Sequence, residues 1–151
     1  MLKNKILVTL AVMANFLILF LSGNSCASSQ DDAIILMSEG KWKEAIKIYD
    51  IILSTGNGNI PALLNRSKAR KEIKDVEGSA EDAKRVVSLV KKELKNRPDD
   101  YGLYFFAGQA HGLLENYNLA IEHIEKSKEL NPKAPVMAIL KRLKMERAKT
   151  K

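Results

Sequence analysis

The sequence predicts an all-α solenoid of helix–turn–helix repeats preceded by an export segment. Three observations predict it. Small and bulky residues return together after 34 residues, apolar side chains between them follow helical spacing, and an amino-terminal apolar run stands apart in composition. The chain has 151 residues, a length for one domain. Its 46% apolar and 28% charged residues exclude a disordered polymer. A single cysteine, Cys26, excludes an intrachain disulfide and a zinc site built on several thiolates.

Residues 1–25 read as a signal peptide. Lys3 and Lys5 are the only charges before residue 28, whereas the whole chain carries +7. Ile6 to Leu21 is an apolar run interrupted by Thr9 and Asn15, followed by small and polar residues. As a helix this run reaches roughly 24 Å, short of the ~30 Å hydrocarbon core, so it suits a signal better than a membrane span. An uncleaved signal anchor is the alternative. Two cleavage products are compatible with the residues. Ser25 and Ala27 fit cleavage after residue 27 and a free chain from Ser28. Ser25 before Cys26 resembles a bacterial lipoprotein signal, which implies lipidation of Cys26 and a membrane anchor; Gly23 departs from that pattern, which usually has leucine there. The implied location is the periplasm or cell surface, on a membrane if acylated and soluble if not.

The rest of the chain repeats. Gly40-Lys-Trp-Lys-Glu-Ala45 has counterparts in Lys74-Asp-Val-Glu-Gly-Ser79 and Glu115-Asn-Tyr-Asn-Leu-Ala120. The small residue recurs at Ala45, Ser79 and Ala120, at intervals of 34 and 41. Ala33, Ser67 and Gly108 recur in the same register, as do the bulkier Trp42, Val76 and Tyr117, and Pro132 ends the last copy. This pattern resembles the tetratricopeptide repeat, and the resemblance spans 26–134 as repeats 26–59, 60–100 and 101–134. It implies a right-handed solenoid of three helix pairs. Small residues at fixed points let antiparallel helices approach to about 8–10 Å, and Trp42 and Tyr117 fill the space beside that contact.

Local signals place the elements. Ser29 and Asp32 form a capping box before the first helix. Ile46, Tyr49, Ile52 and Leu53 make one face of the second, and Ile121, Ile124 and Leu130 repeat it. Gly56-Asn-Gly-Asn59 followed by Pro61 ends one repeat and opens the next helix. The seven additional residues of the second repeat are almost two helical turns, so they lengthen a helix without rotating its apolar face. That face holds Val86, Val87, Val90 and Leu94, and the spacing predicts a projecting helix over about 79–96, stopped at Pro98. Residues 135–151 form a helix and basic tail. Val136, Ile139, Leu140 and Leu143 face the last repeat as a cap. Lys141, Arg142, Lys144, Arg147 and Lys149 face outward, either as a solvated surface or as a basic face for anionic lipid or an acidic partner.

No catalytic set, metal site or cofactor motif emerges, and the expectation is a protein that is not an enzyme. His111 and Glu115 share a helix spacing, but two ligands do not make a metal site. Gly56-Asn-Gly58 lacks the strand and Lys-Ser/Thr of a phosphate loop and reads as a turn. Ser79 has no local histidine and reads as packing. Asn65-Arg66-Ser67 is a sequon inside a predicted helix. Basic residues are interleaved with acidic ones on the helices (Lys43-Glu44, Glu81-Asp82, Glu122, Glu125), as on a solvated helix surface, so nucleic acid is not an expected partner.

The family resemblance implies a concave groove lined by the first helices. Carried over by position, its candidate partner-binding residues are Ile34, Met37, Leu64, Asn65, Lys68, Lys71, Phe105, Phe106 and Gln109. Co-chaperone members clamp a peptide carboxylate with five polar side chains. The matching positions here are Gln30, Ile34, Asn65, Gly102 and Phe106, of which only Asn65 agrees, so the resemblance does not extend to that clamp. The groove's apolar anchors and Lys68 and Lys71 instead suit a segment of an envelope protein carrying apolar and acidic residues; either phenylalanine is equally compatible with packing between helices. Two roles fit: an exported, membrane-tethered adaptor, or an accessory subunit of an outer-membrane or envelope assembly complex.

Overall fold

In the computed structural model, residues 29–56 and 58–150 are described. The expected signal segment, Cys26 and both expected cleavage points lie outside the described residues. Seven helices and no strand are present among the described residues: α1 over residues 29–38, α2 Trp42–Ser54, α3 Ile60–Glu72, α4 Val76–Glu93, α5 Tyr101–Leu113, α6 Tyr117–Leu130 and α7 Met137–Lys149. Each helix from α2 to α6 packs on the next, α3 also reaches α5, and α7 packs on α6. This is a stack of antiparallel helix pairs.

The pairs are set by the small residues. Ala33 and Ala45 are fully buried in one core with Tyr49. Ser67 Oγ donates to the Ser79 carbonyl at 2.7 Å and lies 3.2 Å from Ser79 Oγ, so two buried hydroxyls meet where α3 crosses α4. At Gly108 a Cβ would stand 2.5 Å from Ile124 Cγ1 and 3.0 Å from the Ala120 carbonyl oxygen. Only glycine admits α6 at that distance.

The turns within pairs use one device. Gly40, Lys74 and Glu115 all have positive φ, at 74°, 65° and 62°. After each, an amide reaches back five residues: Lys41 to Leu36, Asp75 to Arg70 and Asn116 to His111. This is the left-handed helix ending that glycine adopts most readily. The second and third copies adopt it without glycine, which is why their turns are hard to see locally.

Helix starts follow side-chain caps. Asn59 accepts from Ala62 N, with Pro61 in the first turn. Asp75 accepts from Gly78 N, and Asp100 from Gly102 N and Leu103 N. The Asp75 cap starts α4 at Val76, three residues before the expected start at 79. Residue 29 is already helical, and the residues before it lie outside the described ones. Val76, in the same register, is 71% exposed, whereas Trp42 and Tyr117 are half-buried.

The seven additional residues divide between helix and turn. Helix α4 has 18 residues against 13 in α2, and the turn after it is longer. Val90 is 1% exposed, and Val87 and Leu94 pack against the core, so the added length is seated rather than projecting. Arg97 then bridges Glu93 and Asp100, both at 3.0 Å, across the turn.

Two apolar clusters result. The larger joins α1 to α5. The smaller holds Ala120, Ile121 and Ile124 of α6 against Val136, Leu140 and Leu143. Burial of Val136, Leu140 and Leu143 removes the apolar end of the stack from water, at about 1.5–3 kcal/mol per large side chain before entropy is charged.

One polar feature contradicts the solvated-surface reading of Glu81-Asp82. Asp82 is 2% exposed and accepts from Arg66 Nε at 2.9 Å, Arg66 Nη2 at 2.7 Å and Arg70 Nη1 at 2.9 Å. Arg66 also reaches Asp50 at 2.7 Å, so α2, α3 and α4 are tied by one network. Hydrogen bonding to Asp82 raises the Arg66 pKa further, against the opposing effect of burial. Charge alternation conceals such a site, because only the packing of α3 on α4 decides which carboxylate turns inward.

Candidate functional site

The first helices and α7 enclose a cleft of about 670 Å³. Met37 from α1, Lys68 and Lys71 from α3, Gln109 and Leu113 from α5, and Trp42 and Tyr117 from the second helices line it. Helix α7 supplies the remaining wall through Ile139, Arg142, Leu143 and Glu146. Spacings of three and four residues put these four on one face of α7.

Of the residues carried over from the repeat pattern, Met37, Lys68, Lys71 and Gln109 meet in this cleft. The others do not line it. Leu64 is 2% exposed and is a core residue, not a groove anchor. Ile34 is 47% exposed on α1 but is not a wall of the cleft. Asn65 lies against the Tyr49 hydroxyl, where it opposes the upward shift that burial imposes on that phenol. Phe105 packs on the smaller cluster and Phe106 on the larger, with ring centroids 6.2 Å apart. Neighbouring residues on a helix point about 100° apart, so consecutive phenylalanines are drawn into different layers.

Trp42, Ile139 and Arg142 were not among the carried-over residues. The α7 stripe is visible in sequence, but which flank of it meets the cleft depends on how α7 lies across α5 and α6. A Cβ on Gly112 would approach Leu143 Cδ2 to 3.0 Å, so that glycine permits the approach of α7.

Three cations, Lys68, Lys71 and Arg142, and three carboxylates, Glu72, Glu115 and Glu146, line the cleft, but they are only partly paired. Lys71 Nζ pairs with Glu115 at 3.5 Å. Glu146 pairs with Lys149 at 2.8 Å. Lys68 and Arg142 have no ion pair among the described residues. Burial, and then the Arg142 guanidinium, push the Lys68 ammonium down to about 8. Two cations facing one another between Met37, Leu113 and Ile139 are an unfavourable arrangement that an incoming anion relieves.

The histidines make no metal cluster. His111 and His123 stack, with centroids 5.2 Å apart and planes 3° from parallel, and Tyr104 lies 6.0 Å from His123. His111 Nδ1 is buried without a hydrogen-bond partner among the described residues. Burial lowers both imidazole pKa values; for His111 the neighbouring His123 adds to this, while Glu122 opposes it for both. Glu115, the other half of the considered metal pair, faces Lys71 instead. No group of three or more potential metal ligands occurs among the described residues.

No family model and no curated protein sequence matches the chain. Solved structures do match in shape. The first TPR of Spaghetti (RPAP3), bound to the HSP90 peptide SRMEEVD, aligns with TM-score 0.55 and 22% identity over 82% of this chain and 93% of that one. The Sgt2 TPR domain from Aspergillus fumigatus aligns at 0.58 and 22%, over 84% and 80%. The type III secretion translocator chaperone SycD of Yersinia enterocolitica aligns at 0.56 and 12%, over 83% of each chain. With paired helices, repeated small-residue crossings and a concave cleft, this chain has the fold of a tetratricopeptide-repeat solenoid.

Proposed function

We propose that the protein is an exported, membrane-tethered adaptor whose cleft holds a peptide segment with an acidic group between apolar side chains. The observation that carries this reading is the Lys68–Arg142 pair, two cations without carboxylate partners among the described residues, set between apolar walls. A carboxylate placed between them is attracted by both and relieves their repulsion. The RPAP3 domain, similar in fold, holds an acidic peptide. Here one of the two cations comes from α3 and the other from α7.

Lys3, Lys5, the apolar run after them and Cys26 support export and a lipid anchor. Several acyl chains on Cys26 tether the protein at about 0.8 kcal/mol per buried methylene. A second role, as an accessory subunit of an outer-membrane assembly complex, is favoured by Ile34 and Ile35, exposed at the α1 end of the stack where another subunit can pack.

Fluorescence anisotropy with a Leu- and Glu-bearing peptide and its glutamine counterpart tests the cleft. The acidic peptide binds at least about tenfold tighter, Arg142→Glu removes the difference, and affinity declines above pH 8 as Lys68 loses its proton. Equal affinity for both peptides, unaffected by Arg142→Glu, refutes the reading. Mass spectrometry of the native amino terminus separates acylated Cys26 from free Ser28.

A further inference from the structure

A second recess lies on the opposite flank of α7. Met137, Leu140, Lys141, Lys144, Met145 and Ala148 form an open groove of about 710 Å³ with Glu125 and Lys128 of α6. Met137 is 62% and Met145 55% exposed, while Leu140, at 6%, forms the floor. The spacing of these α7 residues is that of one helix face, about 16 Å or three turns long.

Its position gives this groove its meaning. Helices α3 and α5 are each covered by the helix that follows, α4 and α6. No helix among the described residues does the same for α7. Charge narrows the choice of occupant. Lys144 pairs with Glu125 at 2.9 Å, while Lys128 and Lys141 have no ion pair among the described residues. The rim is therefore cationic. A second copy docked α7 against α7 sets Lys141 and Lys144 against their own counterparts. Residues 1–28 of the chain bring Lys3 and Lys5 and no acid. Both occupants add cation to cation. A bilayer is flat and touches a rim, whereas this surface is a trough with its apolar floor recessed. Methionine walls adapt to varied side chains, as helix-binding grooves require.

We propose that the α6–α7 groove is a docking seat for one amphipathic helix of a partner protein, about three turns long, with Leu- or Met-type side chains flanked by Asp or Glu. It lies against α7 as α4 lies against α3 and α6 against α5. The seat is separate from the cleft and does not depend on what the cleft binds.

The test uses the full chain in phosphatidylcholine nanodiscs and two labelled helical probes. One carries leucine at positions i, i+3, i+4 and i+7 with flanking glutamates; its twin carries lysines. The acidic probe binds at least tenfold tighter than the twin. Met145→Asp weakens it at least tenfold, and the double change Lys128→Glu and Lys141→Glu inverts the preference between probes, neither of which a probe seated in the Lys68–Arg142 cleft shows. Met145, Lys128 and Lys141 are exposed, and unchanged far-ultraviolet dichroism and melting temperature verify the fold of each variant. The proposal is overturned if neither probe binds, if both bind equally, or if Lys68→Glu abolishes binding while Met145→Asp does not. It is equally overturned if Met145→Asp instead abolishes dimerisation, or abolishes attachment to vesicles containing phosphatidylglycerol, with no acidic-probe binding in the parent chain.

Discussion

The α3/α4 and α5/α6 pairs cross at the same point of the repeat and close it by opposite chemistry. In the first, Ser67 and Ser79 join by hydrogen bonds and Asp82 gathers two arginines beneath them. In the second, Gly108 gives way to Ile124, and His111 stacks on His123. One seam is held by satisfied polar groups and the other by steric fit. The same backbone geometry is thus compatible with two different side-chain solutions, provided both residues at the crossing stay small. The difference lies in how each fails: a polar seam fails when one partner is removed, a steric seam when an atom is added.

The largest expected effect breaks the polar seam. Asp82→Ala leaves Arg66 and Arg70, only 13% and 20% exposed, without their shared acceptor. Removing one member of a buried ion network is strongly destabilising, here about 3 kcal/mol because the arginines retain some solvent. Urea denaturation at pH 7 measures it, and a change below about 1 kcal/mol would show that the network adds nothing beyond a surface pair.

Gly108→Ala tests the steric seam. The new Cβ meets Ile124, which is fully buried, and the Ala120 carbonyl, which cannot rotate away. Overpacking costs about 2 kcal/mol, partly offset by the higher helix propensity of alanine. The double mutant with Ile124→Val recovers part of the loss, and strict additivity of the two changes would place the contact elsewhere.

A smaller, reversible effect separates the seams by pH. Both histidine pKa values are lowered in the folded state relative to the ordinary 6.5, so between those values the unfolded chain binds more protons. The contribution of the stacked pair to stability is complete above pH 6.5 and declines as pH falls below it. Comparing urea midpoints at pH 7.5 and 5.5 shows this slope. Replacing His111 and His123 together by glutamine flattens it, whatever the change does to absolute stability; an undiminished slope would assign the titration to other groups.

Much of the fold was legible from one residue class. Ala33, Ser67, Gly108 and their partners Ala45, Ser79, Ala120 mark every crossing, because only small side chains let helix backbones approach. The stripe Val136, Leu140, Leu143 located α7 equally well. The site was less legible. Met37, Lys68, Lys71 and Gln109 follow from their repeat positions, but Leu64, Phe105 and Phe106 turned into the packed layers. Trp42, Ile139 and Arg142 joined the cleft from elements assigned other roles. An apolar side chain on a first helix is drawn to whichever neighbour buries it best, and sequence spacing does not specify that neighbour.

Local chemistry by itself determined the paired helices, their small-residue crossings and the apolar face of the last helix, since these depend on spacing within one or two turns. Only the tertiary structure decided that Asp82 turns inward, that Lys68 meets Arg142, and that α7 presents one flank to a cleft and the other to an open groove. Those outcomes depend on rotations of one helix about another, and a rotation of a few tens of degrees changes which side chains meet while leaving every local pattern intact.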